Sequence, residues 1–541
     1  MTVRFPVPVG RTVAALAVLA ALVRPAVAVP PGDEEDGLSR FDGLEIVAVV
    51  IDRRDLFDLD DSETDSWPYR WANNLNIVTS EGFIRGSLLF EEGDTFDASL
   101  ASESARILRS YGFLNPVEIS AEETEGGVEV VVFTRDRWSL DIAGTFDIFG
   151  GQSETEIGFT DENFLGMGQE FGLIYESDEE RSSYTVSYFN PLIAGRHIQA
   201  RAELEDADDG HRYLLRGQRP FYSLQTRWAT GFEWEDESLI EHLWSDNETV
   251  VDGRKDTYQW KVWGGLRLPW GGRSTTNRLV VGVEEHDYEY EGWAFVDTDQ
   301  SYATPEDRFL RGIRIGYTSI TDRFEVVRAF RAWEIQEDIA LGPRGTASVL
   351  YSSPSFGGDR ERWLFESRYR QGWHRGGWVV LGDLWAEGRY ERGDVVNGLF
   401  GVEIAAGELG PKGWQFRLKV EETEAADRDL QLTLGADTGL RGWEADTFDG
   451  TGRALLNVQW RQLIWSNLAD MISIGFVGFV DAGKTWDPRV GRDTGGVRAN
   501  IGVGLLADVS KVAIAEAFRF EVAVPDDGSG YIITVSSSAL F

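Results

Sequence analysis

The sequence predicts a mainly β protein: a transmembrane antiparallel β-barrel of about sixteen strands, preceded by one small α+β domain. Three observations predict it. From about Arg137 to Phe541, apolar and polar residues alternate with period two, interrupted by turn residues. The 541 residues include 60 Gly, 20 Trp, 16 Tyr and 30 Phe, a mixture suited to a large barrel with aromatic girdles at the membrane interfaces. Beyond the N-terminus, no stretch approaches the ~20 apolar residues that a spanning helix needs. A membrane-embedded form is then a closed barrel, which satisfies its backbone groups from strand to strand.

The chain is too long for one ordinary core and allows two or more domains. Residues 1–28 read as a signal peptide. Arg4 and Arg11 supply the basic start, Thr12 to Val23 the apolar run, and Ala26-Val27-Ala28 a small-x-small cleavage site. Arg24 and Pro25 depart slightly from that pattern. Net charge is −39, and loss of the leader removes three arginines and no acid, leaving about −42. Such a surface repels nucleic acid, so no nucleic-acid partner is expected. The absence of Cys excludes disulfides and thiolate metal sites. Residues 29–40 (VPPGDEEDGLSR) are acidic and rich in Pro and Gly, as a short flexible linker is.

Residues 41–136 read as the α+β domain. Leu44 to Ile51 predicts a buried strand. Asp58 to Asp65 is an acidic run without the glycine and ligand spacing of an EF-hand, hence a solvated loop. Tyr69 to Ile77 predicts a first helix and Thr79 to Ile84 a turn. Asp97 can cap a second helix with Leu100, Ile107, Leu108 and Tyr111 on one face and Gly112 at its end. Val117 to Ala121 and Val128 to Thr134 predict two strands joined through Glu125-Gly126-Gly127.

Residues 137–541 predict the barrel. Ile198 to Glu205, Trp414 to Glu421 and Phe518 to Val522 alternate strictly, one face apolar and the other charged, as lipid outside and water inside require. The acidic runs Glu176–Arg181, Glu203–Asp209 and Glu235–Ser238 are expected as hydrophilic loops. At about 25 residues per strand and loop the segment gives roughly sixteen strands, whereas a tally of alternating stretches runs near twenty. The last five are expected at Ala454–Ile464, Ile472–Asp481, Val497–Asp508, Ala517–Val524 and Tyr531–Phe541. In the last, Tyr531, Ile533, Val535 and Phe541 form the candidate C-terminal assembly signal.

Two motifs carry a family resemblance. Gly439-Leu440-Arg441-Gly442-Trp443 sets an arginine between glycines, and Phe479-Val480-Asp481-Ala482-Gly483 follows about forty residues later. Together they resemble the signature of the BamA/TamA superfamily of outer-membrane assembly and secretion barrels (bacterial surface antigen-type barrels). Asp161 to Gln169 resembles an early-strand turn of the same superfamily, and the order β-α-α-β-β over 41–136 looks like one copy of its POTRA module. The terminal Phe541 suits an outer-membrane barrel, although Ser538 stands where the family more often has Gly. The resemblance implies a loop folded into the barrel lumen, where Arg441, Gly442 and Trp443 meet Asp481 and Gly483 on the inner wall. The chemistry suits those residues: Arg offers a rigid fork that matches a carboxylate twice, and glycine lets backbone lie close to a wall. The pair is expected to latch the loop, so Asp481 must face inward.

Catalytic constellations are missing from the sequence, and no enzyme is expected. His197, His211, His242, His286 and His374 are scattered without metal-ligand spacing, and no Gly-x-Ser-x-Gly elbow, phosphate loop or dinucleotide fingerprint occurs. Glu284-Glu285-His286-Asp287 would split between the two faces of a strand. No cofactor and no metal are expected. The resemblance implies a protein of the Gram-negative outer membrane with its POTRA-like domain in the periplasm. It would insert or translocate client polypeptides, in contact with outer-membrane lipids and with room for periplasmic or lipoprotein partners. A passive porin or surface-antigen barrel without transport activity is the alternative.

Overall fold

The computed structural model describes residues 37–541 apart from 61–63, 142–143, 150–151, 272–273, 299, 513–516 and 537–541. The leader 1–28, most of the linker 29–40 and Phe541 lie outside the described residues. The small domain holds a three-stranded sheet in the order β1-β3-β2, with β1 Ile46–Arg54, β2 Leu114–Thr124 and β3 Gly127–Asp136. Central β3 runs parallel to β1 and antiparallel to β2. It alternates strictly, its buried Val128, Val130 and Val132 packing under Phe96, Leu108, Phe113 and Ile84. The core reaches Phe41 and Leu38, so the end of the expected linker folds onto the domain.

Three helices lie between β1 and β2: α1 Trp67–Leu75, α2 Glu81–Ser87 and α3 Ala98–Arg109. The expected turn at Thr79–Ile84 is therefore the start of a helix. Ser80 caps it by accepting from the Phe83 N–H, a signal masked by the two glycines in Glu81–Ser87. Asp97 caps α3 by accepting from Ser99 at 2.9 Å. The buried side of α3 is mostly small (Ala98, Ala101, Ala105) with Leu108, and Leu100 and Ile107 are only half-buried.

The two edges of this sheet differ. The outer edge of β1 is occupied: Ile46 donates to the Asp94 carbonyl at 2.8 Å, Val49 donates to Glu92 at 3.1 Å, and Arg85 donates to the Val49 carbonyl at 2.8 Å. The outer edge of β2 from Glu118 to Thr124 has no backbone partner other than β3 among the described residues.

The remaining strands form one antiparallel sheet that wraps from Leu140–Asp141 and Gly144–Phe149 round to Ile532–Ser536. Among the described residues it has twenty strands, taking Leu140–Asp141 and Gly144–Phe149 as one, because both pair with Gln152–Phe164. The expectation of about sixteen is corrected, and the tally near twenty was the better guide. The physical reason lies in the connections. Asp208-Asp209, Asp246-Asn247, Gly376-Gly377 and Arg392-Gly393 join strands with two residues each. Glu235–Ser238 is no loop but the middle of strand Trp228–Ser245, and Glu203–Ala207 ends strand Gln199–Ala207. The acidic side chains pair on the inner wall: Arg212 donates to Glu235 at 2.8 Å and to Glu203 at 3.1 Å. All five strands expected after the Arg441 loop are present, from Gly452–Leu468 to Ile532–Ser536.

Alternation sets the two faces. In Ile472–Trp486 the odd residues are buried inward from Ser473 to Thr485, while the even ones face out. In Arg498–Val509 the outward Ile501, Val503 and Leu505 are exposed, and similar residues recur round the sheet at Leu173, Val262, Val281, Ile404 and Val480. A continuous apolar outer face on a sheet with a charged interior is the face a barrel gives to lipid. No helix among the described residues is long and apolar enough to cross a membrane.

The small domain docks on the turns at one end of the barrel. Arg109 of α3 grips Asp338 with two hydrogen bonds, at 2.7 and 2.8 Å. Glu103 accepts from the Leu224 N–H at 2.7 Å, and Arg137 donates to the Ser510 carbonyl at 2.9 Å. The Asp161–Gln169 motif makes a further joint. Asn163 donates to the Thr79 hydroxyl at 2.9 Å and accepts from Gly168, and the Gly166 carbonyl takes the Ser80 N–H at 2.7 Å. Gly168 has φ +63°, and a Cβ there would lie 2.1 Å from the Phe83 ring.

Asp136, at the end of β3, accepts from the Thr79 N–H at 2.8 Å and from its hydroxyl at 3.1 Å. Burial pushes its carboxyl up to about 7, against those two hydrogen bonds. Between the usual 3.8 and about 7 the folded state keeps a proton that the unfolded chain releases. Stability from this group is therefore full at low pH and declines as pH rises through that window. Thermal melting of the small domain is expected to fall between about pH 4 and pH 7 in the wild type and to flatten in Asp136→Asn.

Candidate functional site

The loop 425–451 leaves strand Lys412–Glu424, turns into the barrel and returns to strand Gly452–Leu468. Its base is a small ladder of Leu432–Leu434 against Phe448–Gly450. At its tip the Leu440 N–H bonds the Gly435 carbonyl at 2.7 Å, and Gly439 turns the chain at φ +113°. Leu434, Leu440, Trp443 and Phe448 bury against Leu455 of the wall. Gly442 is required by contact, since a Cβ there would lie 2.3 Å from that of Asn500.

Arg441 is 2 % exposed and meets a fully buried, inward-facing Asp481. Its Nε donates to Asp481 Oδ2 at 2.9 Å and its Nη2 to Oδ1 at 2.7 Å, the paired geometry of guanidinium and carboxylate. The plane of the guanidinium stacks on Phe479, 3.4 Å from the ring centroid. Gly483 leaves room for the loop: a Cβ there would lie 2.7 Å from Leu434 and 3.5 Å from Leu440. Phe479, Asp481 and Gly483 thus share one inward face and receive one loop. The structure brings together Arg441, Gly442, Trp443, Asp481 and Gly483.

The site is larger than the two motifs. Asp481 also accepts from Asn457 at 2.7 Å and from Asn500 at 2.8 Å. Arg441 Nη1 donates to Glu521 at 3.1 Å, and Arg519 donates to the same oxygen at 2.6 Å. Arg441 and Arg519 face Asp481 and Glu521, so two cations balance two anions in a buried cluster. Desolvation offsets much of the Coulomb attraction in such a cluster, and its main effect is to fix one arrangement. Asn457, Asn500, Arg519 and Glu521 escaped sequence reasoning individually. Their signal was the charged or polar face of the alternating strands.

A second insertion enters from the opposite end. Between strands Arg308–Thr321 and Arg344–Ser352, a hairpin of Phe324–Val327 and Glu337–Ala340 carries the segment 328–336 into the lumen. Trp333 and Ala329 pack on Val477, Phe479, Leu506 and Ala523. Arg461 on the wall donates to the backbone carbonyls of Ala329, Phe330 and Arg331, the last two at 2.8 and 2.7 Å. Asp508 accepts from the Trp333 N–H at 2.6 Å. The two insertions are bridged. Arg441 donates to Gln459 at 3.3 Å, Gln459 donates to Gln415, and Gln415 donates to the Phe330 carbonyl at 2.8 Å. Phe479 touches both, with Arg441 on its ring and Trp333 in its cluster.

No protein-family model matches this chain. No curated protein matches it either. Among solved structures it is similar to BamA from Haemophilus ducreyi lacking POTRA domains 1–3, at 14% identity and TM-score 0.37 over 90% of this chain and 82% of that one. It is also similar to CdiB from Acinetobacter baumannii, at 11% and 0.42 over 91% and 73%. CdiB from Escherichia coli matches at 13% and 0.40 over 92% and 76%. The functional reading rests on the chain's own residues.

Of the candidate C-terminal signal, Tyr531 is exposed just before the last strand, and Ile533 faces outward with Val535 at the next outward position. Thr534 and Ser536 point in. Of the titratable cluster, Glu284 pairs with Arg314 and His286, whereas Glu285 pairs with Arg311, as alternation on one strand demands. Among the described residues no group of His, Asp and Glu has the arrangement of a metal site.

Proposed function

We propose that this chain is an outer-membrane barrel of the BamA/TamA superfamily that inserts other proteins into the outer membrane or translocates them across it. In this reading the leader exports the chain, and residues 41–136 act as a POTRA-like module on the periplasmic side. A client segment adds as a strand to the open β2 edge between Glu118 and Thr124. Recognition through backbone hydrogen bonds tolerates many client sequences. The client then passes to the junction of the first and last barrel strands. Neither catalysis nor a cofactor enters, because the client's own folding and membrane burial supply the free energy.

One observation carries the reading: two inserted segments are fixed against the inner wall of the barrel. The loop at Arg441 and the segment 328–336 fill the lumen along the C-terminal strands. The seam sets Ile532–Ser536 beside Gly144–Phe149, with Val535 opposite Ile148. A passive porin would need an open lumen.

Depletion of the protein followed by profiling of the outer membrane and the medium tests this. Loss of several other barrel proteins is the expected result for an assembly factor, and loss of one exported protein for a dedicated transporter. An unchanged profile with the barrel folded and inserted contradicts the proposal.

A further inference from the structure

The helix α1 is built inside out. The side turned to its own domain is polar: Asn73 accepts from the Phe57 N–H at 3.1 Å and donates to its carbonyl at 2.9 Å, and Asn76 donates to Asp55 at 2.9 Å. Only Tyr69 adds an aromatic contact there, 4.8 Å from Phe57. No residue of α1 is buried. The outward side carries Trp67, Trp71 and Leu75 at i, i+4 and i+8, followed by Ile77, exposed by 78, 58, 52 and 53 %. A water-facing helix would have the reverse pattern.

Its place in the fold says what covers that stripe. Chain from Ile77 to Ser80 leads straight onto the turn 163–168, where the Gly166 position lies against Ile77 and Val78. That turn exposes Leu165 and Met167, and the strand after it exposes Leu173 on the outer face of the barrel. The apolar stripe of α1 is thus continuous with the lipid-facing belt. On its other side Phe57 lies under Lys511, 5.6 Å from ring centroid to Nζ, in the turn before strand Ala517–Pro525. The turns holding Gly166 and Lys511 flank the seam, so α1 sits at its foot.

We infer that α1 is an interfacial helix that lies in the near leaflet of the membrane spanned by the barrel. Trp67, Trp71, Leu75 and Ile77 sit among headgroups and the first acyl carbons, where indole rings with one polar edge are favoured. Arg70, paired with Asp65 at 2.9 Å through Nε, stays on the aqueous side. The inference rests on the barrel spanning a bilayer and adds a second, peripheral membrane contact beside the seam. It ties the small domain to the bilayer where a client strand would leave.

The chain has no native Cys, so single labels are clean. Full-length Leu75→Cys, Leu173→Cys and Glu125→Cys are labelled with an environment-sensitive fluorophore and reconstituted in phosphatidylethanolamine–phosphatidylglycerol vesicles carrying nitroxide on the acyl chains. Position 173 reports the barrel belt, and 125, at the far hairpin tip, reports water. The expected result is quenching at 75 comparable to 173 and severalfold above 125. In Trp67→Ser/Trp71→Ser, quenching at 75 is lost while that at 173 stays. A label at 75 as unquenched as at 125, with 173 quenched, overturns the inference and leaves the barrel reading intact. Quenching at 75 that survives the double substitution also overturns it. Absence of quenching at both 75 and 173 removes the membrane-spanning reading itself.

Discussion

Arg441→Ala releases the loop 425–451 from the barrel wall. The substitution leaves Asp481 with Asn457 and Asn500 as donors but without a cation, and leaves Glu521 to Arg519 alone. An unpaired buried charge costs about 3–5 kcal/mol, and the two amide donors place this case at about 3. Arg441→Lys recovers only part, because an ammonium supplies a point charge and cannot occupy both Asp481 oxygens and the Phe479 face together. The double variant Arg441→Ala/Asp481→Ala restores neutrality around Arg519 and Glu521. It is expected to be less destabilised than the sum of the single losses, a coupling that a double-mutant cycle reads directly. The measurement is protease cleavage within the loop, together with the denaturant midpoint of the refolded barrel. Cleavage as slow as in the wild type would show that the loop is held by Leu440 and Trp443 rather than by the ion pairs.

Arg461→Met frees the segment 328–336 from the lumen. Three backbone carbonyls lose their shared donor, and Trp333 loses the cation 5.4 Å from its ring. Each buried acceptor left without a partner costs ~1–3 kcal/mol, and escape of the segment into water limits the total to on the order of 3 kcal/mol. Ala332→Cys is a suitable reporter, since Ala332 is buried and the chain has no other thiol. Its thiol is expected to be unreactive toward a charged maleimide in the otherwise native chain and readily modified when Arg461 is Met. The loosened segment also removes the Phe330 carbonyl from Gln415, so Arg461→Met is expected to speed cleavage of the Arg441 loop.

Strand alternation and two family-like motifs are the legible part of this chain. The pairing of Arg441, set between glycines, with Asp481, two positions from both Phe479 and Gly483, was implied by the resemblance of the two motifs, and their complementary chemistry suits it. Period-two spacing put Phe479, Asp481 and Gly483 on one face. The same spacing placed Arg519 and Glu521 on an inner wall without revealing that they complete a neutral cluster, because their neighbours come from other strands. About 25 residues per strand and loop undercounts the strands because several connections are only two residues long, and acidic runs such as Glu235–Ser238 resemble solvated loops although the barrel pairs them across its inner wall. The segment 328–336 left no trace in the sequence. Its Phe330 and Trp333 read as any apolar pair, and the groups that hold it, Arg461 and Asp508, lie more than a hundred positions away. Asn163 was legible as part of a motif, but its docking on Thr79 depends on a small domain placed by tertiary contacts alone.

Transport through the barrel requires the seam to open. Ile148 and Val535 are register partners across it, and no native thiol competes for a bond between them. A depleted strain is supplied with the Ile148→Cys/Val535→Cys chain, with the disulfide either formed or kept reduced, and its outer-membrane and secreted proteins are profiled. The oxidised form is expected to fold and insert but to fail to restore the profile, and reduction is expected to restore it. Full restoration by the oxidised, seam-locked barrel would contradict the proposed function.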